Sequence, residues 1–317
     1  MDFFTHFLVP FIILFALKSK NKLEGAFGGI APDLDTIFVA WIGFLVPYLF
    51  VFSHRGITHT FIFAAVASTL FLFVISRKQI NEFIGKIIRR DISVEFTWKT
   101  VGIAYFGALT HLFLDFLTSK GIPLFYPFTL QRFSAEIYYY IDTTTAVIAL
   151  IVLLILYLRL DMKYKKAAMA IFMIILISFG GIRAYEKNNA LVENPVSGNF
   201  VYSAAYPTAD MFTWTIVESD SNNNTYYAFN YNTLNKEKSD VKTAQSVTVT
   251  GGNVQSAQKA INKADNLPEV QNFKWDAFYP CVNATFDGKE WKLTYFDVID
   301  TGYRNNNITV MIPADKT

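Results

Sequence analysis

Cysteine and histidine are scarce in this sequence of 317 residues. The one cysteine, Cys281, excludes an internal disulfide framework. The four histidines are His6, His54, His59 and His111, and all of them lie in the first part of the chain, inside or beside apolar runs. A function that depends on imidazole groups must therefore be carried by that part.

Long apolar runs are missing from the second part of the chain. Up to about Arg183 the sequence consists mostly of Phe, Ile, Leu and Val runs separated by short basic patches, and from Tyr185 onward it is rich in Asn, Thr, Ser, Tyr and Lys. This change predicts an α-helical polytopic membrane domain over residues 1–184 and a soluble domain over residues 185–317. The net charge of +2 says little, because its distribution matters more than its sum.

The apolar runs predict about five membrane spans. They cover residues 3–17, 57–75, 101–117, 144–158 and 167–182. The first run has no basic region before it and no small-residue cleavage site after it, so we expect a retained helix. Lys and Arg collect on the cytoplasmic side of membranes, which predicts a multi-pass protein of the cell membrane with its amino terminus and carboxyl-terminal domain outside.

The apolar residues 38–52 allow two arrangements. If they cross the membrane completely, Asp33 and Asp35 lie about a bilayer thickness from His54. If residues 22–32 cross instead and residues 38–52 re-enter, all the histidines and aspartates meet at the outer side. Non-helical backbone is tolerated where it lines a buried cavity. We therefore predict a re-entrant segment here.

The second part of the chain predicts a small β-rich α+β external domain. Short segments rich in β-branched and aromatic residues alternate with Asn, Gly and Asp turn signals, which is typical of an antiparallel sheet. One helix is expected over Val254–Ala264. The predicted strands cover residues 212–217, 225–231, 273–278, 291–296 and 308–312.

The motif His-Arg-Gly-Ile-Thr-His at residues 54–59 lies between apolar runs, where ionisable side chains are costly and usually functional. His111 and Asp115 are four residues apart and share a helix face. Histidine and aspartate together suit Zn²⁺ or Mn²⁺ better than Ca²⁺. We predict a site for one or two such ions, with the ligands His6, Asp33, Asp35, His54, His59, His111 and Asp115.

Simpler explanations exist for some of these residues. Asp33 and Asp35 could cap the helix that follows Pro32, and the motif histidines could face solvent in an external loop. A carboxylate at position 115, inside an apolar run, still needs a partner. Arg55 beside a metal site indicates an anionic substrate, typically a phosphate. Its charge is repelled by the metal unless a carboxylate compensates it, and we expect Asp33 or Asp35 as that partner. Its alternative role is that of a lipid-headgroup anchor.

Several motifs together resemble the YdjM-type family of membrane-bound metal-dependent hydrolases. They are Pro-Asp-Leu-Asp at 32–35, the 54–59 motif, Thr-His-Leu-Phe-Leu-Asp at 110–115, Thr118, Gly-Ile-Pro at 121–123 and Tyr-Pro-Phe at 126–128. The resemblance covers residues 1–128 and includes an amino-terminal histidine, here His6. The family's Pro-Asp-x-Asp is usually followed by His, where this chain has Thr36, so one ligand is absent. The carboxyl-terminal part, with Tyr206 and Trp275, is similar to the external domain of archaeal members.

The sequence and the resemblance together favour a hydrolase acting on a phosphoester or other ester of a lipid or lipid-linked substrate at the outer face of the membrane. Arg55 would steady the developing charge and Asp35 would take a proton. We expect membrane lipid and a small or lipid-linked anionic molecule as partners, and no nucleic acid. The alternatives are a non-catalytic binding or transport protein, although the sequence shows no internal repeat, and a purely structural metal.

Overall fold

Helices form the first part of the chain and strands most of the second. The computed structural model describes residues 1–46, 51–195, 201–220, 224–299 and 307–314. The chain divides into two units, one made of Met1–Leu45 and Val51–Ala184 and a second that begins at Tyr185. A helical region followed by a β-rich domain is confirmed.

Side chains at the amino-terminal ends define where several helices begin. Asp2, Thr60 and Asp142 each accept a hydrogen bond from a backbone amide in the first turn of the helix that follows, and Thr97 forms a reciprocal pair with Thr100. The helices of this region are α1 Phe3–Ala16, α2 Lys22–Ile30, α3 Asp35–Phe38, α4 Ala40–Leu45, α5 Phe61–Ile75, α6 Lys78–Ile88, α7 Trp98–Phe116, α8 Thr143–Tyr157 and α9 Met162–Glu193.

Helices α2 and α7 pack backbone against backbone through glycine. A Cβ atom at Gly28 would lie 2.0 Å from the carbonyl oxygen of Ala104, and one at Gly107 would lie 1.9 Å from that of Gly25. Small residues at such a crossing let two helices approach closely without a hydrophobic driving force between them. This approach brings the end of α2 beside the middle of α7, where His111 lies.

Among the described residues one helix, α9, is by itself long and apolar enough to cross a membrane. Helices α5 and α6 reach that length only together, and they are bent by 80° at the break between them. The apolar α1 and α8 are shorter. The five predicted spans therefore stay a prediction. Residues 38–52 form the end of α3 and the short α4 before residues 47–50, which lie outside the described part of the chain.

The described residues of the second unit form two four-stranded sheets. The strands are β1 Tyr202–Pro207, β2 Thr213–Asp220, β3 Thr225–Asn232, β4 Lys242–Gln245, β5 Val247–Thr250, β6 Pro280–Phe286, β7 Glu290–Asp297 and β8 Asn307–Pro313. The first sheet has the order β1-β2-β3-β4 with antiparallel neighbours, and the second has the order β5-β6-β7-β8 with a parallel β5–β6 pair. A parallel pair needs a long crossover, which here contains α10 Val254–Ala264 and α11 Pro268–Asp276.

One predicted strand is wrong. Residues 273–278 carry aromatic side chains, but 273–276 belong to α11. Pro268 occupies the first turn of that helix, where its missing amide costs nothing. Val270 is buried and Phe273 packs against the same core as α10. The aromatic content thus serves a helix–sheet contact. The predicted helix Val254–Ala264 is confirmed, as are strands at the other four predicted positions.

Cys281 lies in β6 and is buried. Burial, together with the nearby Asp297 carboxylate, raises the pKa of its thiol to about 12. Such a thiol stays protonated at neutral pH and is a poor nucleophile.

Candidate metal centre

Four structural elements bring the predicted ligands together. Asp33 lies in a 3₁₀ turn, Pro32–Leu34, that follows α2, and His59 ends a second turn, Ile57–His59, just before α5. His111 and Asp115 project from α7 on the same face. His6 reaches the same place from α1.

Four side-chain atoms surround one small volume: Oδ1 of Asp33, Nε2 of His59, Nε2 of His111 and Oδ2 of Asp115. Five of the distances between them lie between 3.1 and 3.6 Å. A tetrahedral Zn²⁺ site with bonds of about 2.0–2.2 Å has edges of about 3.3–3.6 Å. The spacing therefore fits a single tetrahedral ion, and we call these four residues the ligand cluster.

The hydrogen bonds of the two imidazoles fix which ring atoms face the cluster. Nδ1 of His111 lies 2.7 Å from the carbonyl oxygen of Gly29 and must carry a hydrogen. Nδ1 of His59 lies 3.0 Å from the hydroxyl of Thr58, which itself donates to Asp35. If both rings are neutral, their Nε2 lone pairs face each other at 3.1 Å, beside two carboxylate oxygens. A cation must compensate this arrangement, either an added proton or a metal ion.

Asp115 is fully buried and its two oxygens have different surroundings. Oδ1 accepts a hydrogen bond from Arg55 at 2.8 Å and lies 2.7 Å from the amino group of Met1 and 3.3 Å from Nε2 of His6. Oδ2 has no hydrogen-bond partner within the described structure and faces the cluster. A buried carboxylate oxygen without a donor is expensive, and a bound cation would remove that cost.

Arg55 is held inside the protein. Its side chain donates to Asp115 and, at 2.9 Å, to the hydroxyl of Thr118, and its guanidinium lies 4.1 Å from the ring centre of Tyr140. The backbone of Arg55 is left-handed, with φ of 60°, which is strained for a residue with a side chain. The sequence predicted Asp33 or Asp35 as its partner, and this was wrong. Only 1% of the residue is exposed, so it does not reach lipid headgroups either.

Asp35 lies next to the ligand cluster rather than in it. Its Oδ1 is 2.8 Å from Nδ1 of His54, and its Oδ2 accepts from Thr58 at 2.7 Å and lies 3.4 Å from Nδ1 of His59. Asp35, His54 and His59 form a second group with metal-ligand spacing. The His54 side chain is 20% exposed and that of Asp33 15%, so a small molecule can approach the cluster from this side.

His6 stacks on His111 with the ring centres 3.7 Å apart. Neither of its ring nitrogens has a hydrogen-bond partner within the described structure. It lies beside the cluster and outside both groups of metal-ligand spacing. Thr36, at the position where the family has histidine, donates its hydroxyl to the carbonyl of Asp33 and so shapes the turn.

All seven predicted ligand residues thus lie at one place, in two adjoining groups with His6 at their edge. Three contributors were missed: Thr58, Thr118 and Tyr140. Thr58 lies inside the 54–59 motif and Thr118 one helical turn beyond Asp115, so both had a positional signal. Tyr140 is 85 residues from Arg55, and only the fold brings it near.

The first unit is a helical region with a buried histidine–aspartate cluster and, among its described residues, one helix that is long and apolar enough to cross a membrane. The family model described as YdjM inner membrane protein matches residues 1–190, and the chain belongs to this family. Inner membrane protein YbcI of Escherichia coli (strain K12) is 31% identical over 138 residues, which cover 41% of this chain and 70% of that protein. No solved structure matches the chain.

Proposed function

We propose that this protein is a membrane-embedded metal-dependent hydrolase. The observation that carries the proposal is the ligand cluster, in which two imidazole nitrogens and two carboxylate oxygens converge at tetrahedral spacing. A Zn²⁺ or Mn²⁺ ion held there would supply Lewis-acid chemistry, and it would lower the pKa of a water molecule that joined the four side chains as a further ligand. One ion in the ligand cluster is the arrangement that we favour.

The residues around the cluster have two different roles in this proposal, positioning of a ligand and proton transfer. Arg55 and Thr118 hold Asp115 so that one oxygen stays free for the ion, so we assign Arg55 a positioning role in place of direct contact with substrate. Asp35 orients His54, and the imidazole takes up the proton. The carboxylate fixes a hydrogen on Nδ1 of that ring and leaves Nε2 as the base. The partial exposure of His54 suits a group that meets water and substrate.

A purely structural ion is the competing possibility. Four protein ligands at tetrahedral spacing would also hold such an ion. A structural ion does not need a reactive group beside it, however, and an imidazole–carboxylate pair, His54 and Asp35, lies directly beside the cluster and has access to the outside. A transport function would need ligands at several depths, whereas these ligands meet at one point. Both features favour a catalytic role over a structural or a transport role.

An apolar cavity supports a lipid substrate. It has a volume of about 490 Å³ and lies between α1, α7 and α9. Thr110 and Leu114 line it, and these residues directly precede the cluster residues His111 and Asp115 on α7. A hydrocarbon chain of a substrate that lay in this cavity would contact the face of α7 next to the face that carries His111 and Asp115. We therefore propose that the substrate is an ester, most simply a phosphoester, of a molecule with a hydrocarbon chain.

The test is turnover by the purified full chain in detergent. We expect hydrolysis of a phospholipid and slower hydrolysis of a water-soluble aryl phosphoester, with both activities lost on chelation and restored by Zn²⁺ or Mn²⁺. Equal activity before and after complete metal removal would refute the metal-dependent reaction. Absence of turnover by the fully loaded protein on every ester tried would favour a structural or binding role.

Gly181→Phe separates the two kinds of substrate. A side chain at Gly181 meets no atom within 4 Å and would enter the cavity. We expect about a tenfold or larger loss of phospholipid turnover, with metal content and aryl ester turnover unchanged. Gly102→Phe, on an equally open helical position of α7, is the control. Equal loss on both substrates would argue against chain binding in the cavity.

We also propose a multi-pass topology with the cluster and the second unit at the outer face. Its support is the placement of Lys and Arg between the apolar helices and a relative named as an inner membrane protein. Protease added to spheroplasts that expose the outer face should remove residues beyond Tyr185. Full protection of that unit, with cleavage only after the membrane is opened, would reverse the orientation.

A further inference from the structure

The amphipathic helix α6 and the loop after it form a basic cavity that the proposed hydrolase does not use. The cavity has a volume of about 750 Å³. Its lining includes four basic and two acidic side chains, which leaves a net charge of +2: Lys78, Lys86, Arg89, Arg90, Glu82 and Asp91.

Hydrogen bonds hold the loop over the polar side of α6. Asn81 donates to the carbonyl of Val94 and accepts from its amide, at 3.4 and 3.3 Å. The amide of Arg90 donates to the carbonyl of Gly85, and Arg89 adopts a left-handed backbone that turns the chain back. The cations are therefore gathered around one space by the fold.

The other side of α6 is apolar, and only part of it is packed against the protein. Ile80 and Ile84 pack against the helical core. Phe83 and Ile87 are 61% and 63% exposed. A helix with a cationic polar side and exposed large apolar residues is typical of segments that lie in the plane of a membrane interface.

The ends of the neighbouring helices α5 and α8 and the start of α7 lie near α6. Arg90 donates to the carbonyl of Tyr157 at the end of α8. Phe73 near the end of α5 packs against Phe96, just before α7 begins. Trp98, at the start of α7, is 93% exposed. Exposed aromatic residues where apolar helices end mark the boundary between hydrocarbon and headgroups.

We propose that the cavity binds the headgroup of an anionic membrane lipid, whose chains lie against Phe83 and Ile87. Charge complementarity identifies the occupant: the lining has two more cations than anions, which suits a headgroup phosphate, and the other side of the same helix presents exposed apolar side chains. A zwitterionic headgroup adds its own cation to a basic cavity and is disfavoured. This site is separate from the ligand cluster and does not depend on the hydrolase proposal.

The test is lipid binding by the delipidated full chain, followed by native mass spectrometry with added phosphatidylglycerol or phosphatidylcholine. We expect a clear preference for phosphatidylglycerol, which Lys86→Gln/Arg89→Gln reduces by about 25-fold, roughly fivefold for each cation removed. Lys163→Gln/Lys166→Gln, in the basic start of α9, removes the same charge and should leave the preference intact. Glu82→Gln should strengthen it.

Three results would overturn the proposal. The first is an unchanged preference in Lys86→Gln/Arg89→Gln, and the second is an equal loss in the α9 control. The third is complete displacement of the lipid by inorganic phosphate in excess, which would mean that the cavity recognises free phosphate.

The Phe83→Ser variant should bind both lipids more weakly while preserving the ratio between their affinities, because it removes a contact with the lipid chains and no charge.

Discussion

His111→Ala and His59→Ala are expected to abolish stoichiometric metal binding. Each substitution removes one of four donor atoms from the ligand cluster, and the remaining three bind the ion more weakly, with water in the fourth position. We expect about one ion per chain in the wild-type protein and less than about a tenth of that in either variant after dialysis against metal-free buffer. Elemental analysis of the purified, monodisperse protein is the measurement.

His54→Ala is the matched control, because His54 lies in the same motif but outside the ligand cluster. It should keep the ion. Two ions in the wild-type protein, one of them lost in His54→Ala, would instead assign a second ion to the group of Asp35, His54 and His59. Unchanged metal content in both His111→Ala and His59→Ala would show that the cluster holds no metal.

The Arg55→Lys variant tests whether the guanidinium of Arg55 holds Asp115 in position. Lysine keeps the charge but lacks the fork that reaches Asp115 and Thr118 together. Partners outside the ligand set typically contribute 10–100-fold to metal affinity, so we expect weaker binding of that order with the ion still present at saturation. Retention of full affinity, with turnover alone lost, would return Arg55 to a direct role in holding an anionic substrate.

Asp35→Asn is expected to lower turnover by about 10²–10⁴-fold while the metal stays bound at saturating concentration. The carboxylate orients His54 and compensates the imidazolium that forms when the ring accepts a proton. An amide of the same shape provides no such charge. The measurement is kcat at saturating metal, with metal content determined on the same samples.

The same measurement on His54→Ala and on the Asp35→Asn/His54→Ala double variant completes this experiment. If Asp35 acts through His54, the double variant should be no slower than the more damaged single variant, since groups that act as a unit are not additive. Losses that multiply in the double variant would mean that the two residues act independently. Full turnover in Asp35→Asn would remove Asp35 and His54 from the chemistry.

The helical region and the β-rich domain could be predicted from the sequence because each rests on local patterns. Apolar runs bounded by Lys and Arg, and short β-branched segments bounded by turn residues, need no knowledge of distant contacts. The error at residues 273–278 arose where a local pattern was ambiguous. Aromatic residues suit a strand and a buried helix side equally, and the proline that starts the helix lies five residues earlier.

The sequence also predicted that these seven residues lie close together, as the structure shows. Ionisable residues inside apolar runs are so costly that seven of them in one region indicate a shared purpose. The i, i+4 spacing of His111 and Asp115 gave their common face without any tertiary information. The sequence did not divide the seven into ligands and supporting residues, because that division depends on which atoms point inward.

The sequence by itself determined the composition of this protein's site: histidines and aspartates placed in apolar segments, where a cation is the cheapest way to keep them. Only the tertiary structure decided the arrangement. It paired Arg55 with Asp115, set Asp35 beside His54, and left four donor atoms with five of their six separations between 3.1 and 3.6 Å. The physical reason is that hydrogen bonds and metal bonds depend on distances of tenths of an ångström. Such distances are fixed by the close packing of α2 against α7, and local sequence patterns do not specify them.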